Sequence, residues 1–104
     1  MQLNKLLNGA KEYKVDEILQ NKESLQNLKS LDLSFKNLNS IPKYVFELSS
    51  LEDLNLSHNY LQELPKEITK LKSLTVLDIS WNHITHNLDF LPIDIKINSA
   101  WNRK

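Results

Sequence analysis

The chain of 104 residues contains no cysteine and a single glycine, Gly9. The first absence removes disulfides, zinc-thiolate sites and thiol catalysis together, and it fits a reducing compartment. The second argues against glycine-dependent hairpins and against a glycine-rich phosphate loop, because such turns need positive φ or close backbone approach. No run of even ten consecutive apolar positions occurs, so no stretch has the length of a membrane-spanning helix. The N-terminus also lacks the basic-then-apolar layout of a signal peptide. Charge of one sign is missing too, since 13 basic and 13 acidic residues cancel, leaving no overall field to draw the chain to nucleic acid or anionic lipid. These absences lead us to expect a cytoplasmic protein with no cofactor and no nucleic-acid or membrane partner. Any partner must be recognised by a local patch.

What is present is a period. One fixed shift of the register superposes Leu28, Leu51 and Leu74, then Leu31, Leu54 and Leu77, then Leu33, Leu56 and Ile79. Leu38, Leu61 and Ile84 follow, as do Leu48 and Leu71, with Pro42 and Pro65 in phase. A 23-residue period of this kind marks a solenoid, in which one unit cannot bury its own apolar face and stacks on the next.

Residues 1–24 are the least regular part. Leu3, Leu6, Leu7 and Ala10 fall at helical spacing, and Asn8-Gly9 offers a C-terminal stop for a first short helix. Val15, Ile18 and Leu25 align with Leu38, Ile41 and Leu48, as expected of a repeat remodelled into a helical cap that covers the open end of a solenoid. The expected division is therefore a cap over residues 1–24 and a repeat domain of three to four units over residues 25–104.

From Leu28 onward each unit begins Leu-x-x-Leu-x-Leu, with the alternation of a strand at Leu31 to Leu33 and at Leu54 to Leu56. The leucines point inward. Asp32 with Ser34, Asn55 with Ser57 and Asp78 with Ser80 are then expected on the open face. Strands that recur once per unit with a long return between them run parallel. The returns space Ile41, Val45 and Leu48, and Leu64, Ile68 and Leu71, at helical intervals on the outer side. Pro42 and Pro65 fall at the first turn of these segments, where a missing amide hydrogen costs little.

The wording Leu-x-x-Leu-x-Leu-x-x-Asn-x-Leu-x-x-Leu-Pro, complete at residues 51–65, resembles the leucine-rich repeat family, and the resemblance covers residues 25–104. It implies an α/β fold: a short right-handed solenoid with a parallel sheet on the concave face, short helices or 3-10 turns on the convex face, and protein partners bound on the concave side. It is most similar to short intracellular members, without the cysteine-rich caps of extracellular ones. Two departures stand out. The family asparagine is present at Asn59 and Asn82 but is Lys36 in the first unit, so that a shifted loop using Asn37 is an alternative there. After Ile84 the spacing of Leu88, Leu91, Ile95 and Ile97 suggests a shortened, 20-residue unit, which brings Trp101-Asn102 into the columns of Trp81-Asn82.

The column just before the asparagine holds Phe35, His58, Trp81 and, in the shortened register, Trp101. With parallel strands about 4.8 Å apart these rings would form a ladder at one margin of the sheet, and exposed aromatics are common interface anchors. The competing reading has some of them folding down over loop backbone. Beside them Asp32, Asn55 and Asp78, with Glu52 and Asp53, make a mildly acidic strip suited to a basic or mixed partner; acidic residues are also ordinary solvent-side fillers. His58, His83 and His86 lack the three or four converging ligands of a metal site. No nucleophile motif is present, and the serines at 34, 57 and 80 belong to one repeating column. The expected function is a protein-binding module with no enzymatic activity, with partner-binding residues Phe35, His58, Trp81, Trp101, Asp32, Asp53, Asn55 and Asp78. The alternative is a self-associating scaffold, a homodimer formed through the C-terminal edge around residues 97–101.

Overall fold

The computed structural model describes residues 26–86 and 88–102; the expected helical cap over residues 1–24 lies outside them. Four short strands, β1 (Ser30–Asp32), β2 (Asp53–Asn55), β3 (Val76–Asp78) and β4 (Lys96–Asn98), form one parallel sheet in sequence order. Leu31 pairs with Leu54 and Leu54 with Leu77, the repeat period turned into register. Leu77 then pairs with Ile97, a shorter step along the chain, so the last unit is a shortened repeat and its strand joins the sheet.

The return segments form 3-10 helices at Lys43–Glu47 and Lys66–Lys70, each entered directly from its proline. Val45 and Ile68 donate their backbone N–H groups to the carbonyls of Pro42 and Pro65 at 3.1 Å, so each proline supplies an acceptor where it cannot supply a donor. Such short segments are the ordinary reach of 3-10 structure, and a return leg this brief has no room for an α-helix. Val45 and Ile68 are the residues each helix buries. They meet the strand leucines in a core that runs through all units, with Leu33, Leu48, Leu51, Leu54, Leu56, Leu61, Leu77 and Ile79 fully buried.

Beside that core, the hydroxyl of Tyr44 is buried with no hydrogen-bond partner among the described residues. Burial, which penalises the phenolate, pushes its pKa up to about 12.

The two repeat asparagines tie successive units together. Asn59 donates from Nδ2 to the carbonyls of Leu56 and Ser57 in its own unit and to that of Leu33 in the unit before, while its Oδ1 accepts from the amides of Lys36 and Leu38. Asn82 repeats the pattern toward Ile79, Ser80, Leu56 and Leu61. Each asparagine thus serves backbone groups of the unit before it. This accounts for Lys36: the first loop is satisfied by Asn59, and a shifted loop built on Asn37 is not used.

The serines are a correction. Ser57 and Ser80 are buried and Ser34 is half-buried, where strand alternation places them on the open face. The strands end at Asp32, Asn55 and Asp78, and beyond them the chain bends. Each serine donates both its amide N–H and its hydroxyl to Oδ1 of the residue two before it, at 2.6–3.0 Å. The side-chain acceptor stands in for the missing ladder and turns the serine inward.

Candidate functional site

Immediately after each buried turn comes a ring. Phe35 stacks on His58 with centroids 4.1 Å apart, His58 on Trp81 at 5.4 Å and Trp81 on Trp101 at 5.1 Å. Interplanar angles of 12 to 18° make the four rings one nearly parallel pile. None folds down over the loops: Phe35 is 70 % exposed, Trp101 57 % and Trp81 47 %, and His58 is half-exposed between its neighbours.

The backbone under this pile is unusual. All four residues adopt positive φ, between 56 and 61°, the left-handed region that costs a residue with a Cβ roughly 1–2 kcal/mol. The sheet ladder imposes it, because the amides of Phe35, His58 and Trp81 continue the pairing onto the carbonyls of Ser57, Ser80 and Ala100. Glycine or asparagine would relieve the strain, and the chain does use asparagine at Asn37, also at positive φ. Placing bulky rings at four such positions means that side-chain identity there is set by something other than backbone comfort. Mutual stacking, about 0.5–1.5 kcal/mol per pair, offsets the strain in part.

A second stack goes beyond the sequence reading. Tyr60 and His83, two residues past His58 and Trp81, lie parallel with centroids 6.2 Å apart. The repeat shift relates them as it relates the rings of the pile, so the signal is in the sequence, but His83 taken singly reads only as a metal-ligand candidate. The two stacks line a trough of about 590 Å³, together with Asn37, Asn59 and Asn82. His86 is used elsewhere: its Nε2 accepts the Leu64 amide at 2.9 Å. Among the described residues no group of three or more His, Cys, Asp or Glu is arranged to hold a metal ion.

The acidic strip has a structural share that composition conceals. Asp32, Asn55, Asp78 and Asn98 are in register across the sheet, and each gives Oδ1 to the amide two residues on. Acids alternate with amides, which spares the sheet like charges on adjacent strands. Only Oδ1 of Asp32 and Asp78 enters these bonds. Asp53 starts β2 and is exposed.

Residues 26–84 hold the first three strands, both 3-10 returns, Asn59 and Asn82. A family model described as Leucine rich repeat matches residues 26–84, more than half of the chain, and the protein belongs to the leucine-rich repeat family. Domains of this family generally mediate protein–protein interaction and are typically non-enzymatic. No curated protein matches the chain. Among the described residues no helix is long and apolar enough to cross a membrane.

Proposed function

We propose that the protein is a non-enzymatic binding module that takes a protein partner on the concave, sheet-bearing side, with Phe35, His58, Trp81 and Trp101 as anchors. Asp32, Asp53, Asn55 and Asp78 orient a partner of basic or mixed charge, acting chiefly on association rate. On this reading residues 1–24 cap the repeats of 25–104, and the protein works in the cytoplasm. The observation that supports it most is the pile of four exposed rings at positive φ. A surface of this kind is rigid before binding, so little conformational entropy is lost on association, and large aromatic rings dominate hot spots.

The test replaces rings by asparagine, which tolerates positive φ. Phe35→Asn with Trp81→Asn should abolish capture of protein partners from lysate, identified by mass spectrometry, with the thermal melt nearly unchanged. Capture that survives the double substitution rules the reading out.

A further inference from the structure

The stack offers a ligand few ring faces. His58 is covered by Phe35 on one side and Trp81 on the other, and Trp81 by His58 and Trp101. Nucleobases are held on the faces of aromatic side chains, and in this pile, among the described residues, only the outer faces of Phe35 and Trp101 are not stacked. What the pile presents along its length is edges. Ring edges carry the positive rim of the quadrupole, and the polar groups of the trough lining that can donate are the indole N–H groups of Trp81 and Trp101, the imidazole of His58 and the hydroxyl of Tyr60. A ligand suited to this trough is apolar, runs across the strands, and offers hydrogen-bond acceptors at regular steps.

A polyproline II segment has these properties. It makes no internal hydrogen bonds, so its carbonyls are open, and with three residues per turn at about 3.1 Å each it repeats roughly every 9.3 Å. Two rungs of a parallel sheet span about 9.6 Å, and the ring steps of 4.1 Å from Phe35 to His58 and 5.4 Å from His58 to Trp81 together match that span. A residue of such a segment and the third one after it therefore meet Phe35 and Trp81, while the steps of 5.4 and 5.1 Å from His58 to Trp101 run somewhat longer. A β-strand repeats at about 6.7 Å and falls out of step, whereas an α-helix has consumed its carbonyls internally. Charge adds direction. Asp32 and Asp78 stand three residues before Phe35 and Trp81 with one carboxylate oxygen outside the turn bonds, and on the strand between them Asp53 is exposed two residues before Asn55, which is the residue in register with both. A cationic side chain next to the prolines is drawn to this side.

We propose that the trough binds a proline-rich segment of a partner protein in the polyproline II conformation, laid across the strands with a flanking arginine directed to Asp32, Asp53 and Asp78. The inference rests on the reading that the ring stack anchors a protein partner, and it names the chemistry of the segment bound.

Both tryptophans of the chain are in the stack, so their fluorescence reports occupancy. The full chain is titrated with a peptide of nine prolines followed by arginine. Comparison probes are a glycine-serine peptide of the same length and charge, oligothymidylate, and a linear glucose oligosaccharide. The proline peptide should saturate the signal and bind at least tenfold tighter than the glycine-serine peptide. Trp81→Asn, followed through Trp101, and Tyr60→Ala on the opposite wall should each weaken it about tenfold, and Asp53→Asn about threefold, with melting curves confirming that the variants fold. Equal affinity for the two peptides, or tighter binding of the oligonucleotide or oligosaccharide, overturns the proposal. If the proline peptide shows no preference while partner capture still depends on Phe35 and Trp81, the proline assignment alone falls. If neither depends on the rings, the partner-binding reading falls with it.

Discussion

In the second unit Leu54 and Leu56 are fully buried, and Asn59 bonds five backbone groups. In the last unit the same three columns hold Ile97, half-buried, Ser99, exposed, and Asn102, which bonds three. Leu74 has likewise become Asp94, which is exposed. The apolar columns fade where no further strand packs on them among the described residues, as a solenoid end requires if it is to face water. The ring column does not fade: Trp101 completes the stack. Core columns and ring column thus answer to different demands, and the ring survives in a unit that has surrendered most of its leucines.

Substitutions in matched pairs test that contrast. Leu54→Ala should cost about 2–5 kcal/mol in chemical denaturation, the range for a fully buried leucine, whereas Ile97→Ala, removing less buried surface, should cost about 1 kcal/mol. Equal losses would mean that the last unit is as tightly built as the middle one. Asn59→Ala leaves two amides and up to three carbonyls without their side-chain partner and should cost about 3 kcal/mol; Asn102→Ala, partly solvated, should cost about 1 kcal/mol.

The two 3-10 helices offer a smaller comparison, since Tyr44 in the first corresponds to exposed Glu67 in the second. Tyr44→Phe deletes a buried hydroxyl with no partner among the described residues and should stabilise by about 1 kcal/mol. Because the folded phenol titrates near 12 against an ordinary value of 10.0, the unfolded chain releases that proton first. The parent therefore holds this contribution below pH 10 and loses it as pH rises toward 12, and the Tyr44→Phe variant should lack that part of the slope in melts across this interval. The least change is expected from Trp101→Asn. Relief of a left-handed tryptophan, about 1–2 kcal/mol, and loss of one stack, about 0.5–1.5 kcal/mol, nearly cancel. A melt displaced by several degrees would tie the ring to folding rather than to recognition.

The fold is legible in the sequence because core columns repeat in phase: a single register shift, the one that carries Leu31 onto Leu54, predicts which leucines pair across the sheet. The shortened last unit follows from the spacing of Leu88, Leu91 and Ile97, and the ring column is legible for the same reason. The turn beneath it is not. Positive φ is normally announced by glycine or asparagine, and a chain with one glycine gives no such warning at Phe35 or Trp81. Extending strand alternation through Ser57 and Ser80 fails because the strand stops two residues earlier, where a side-chain carboxylate or amide takes over as acceptor. Tyr60 and His83 are in phase, yet a phenol and an imidazole suggest separate chemistries until the period is applied to them together.

Asn59 and Asn82 reach backward, never forward, along the chain: each closes the loop of the unit that precedes it. The dependence therefore runs one way along the chain. A unit emerging during synthesis keeps open carbonyls and amides until the asparagine of the following unit arrives to cap them. The first loop, with lysine where the others carry asparagine, must wait for Asn59. The side-chain bonds that close the loop at residues 36–38 are thus complete only when Asn59 is in place, and those of the next loop only when Asn82 is.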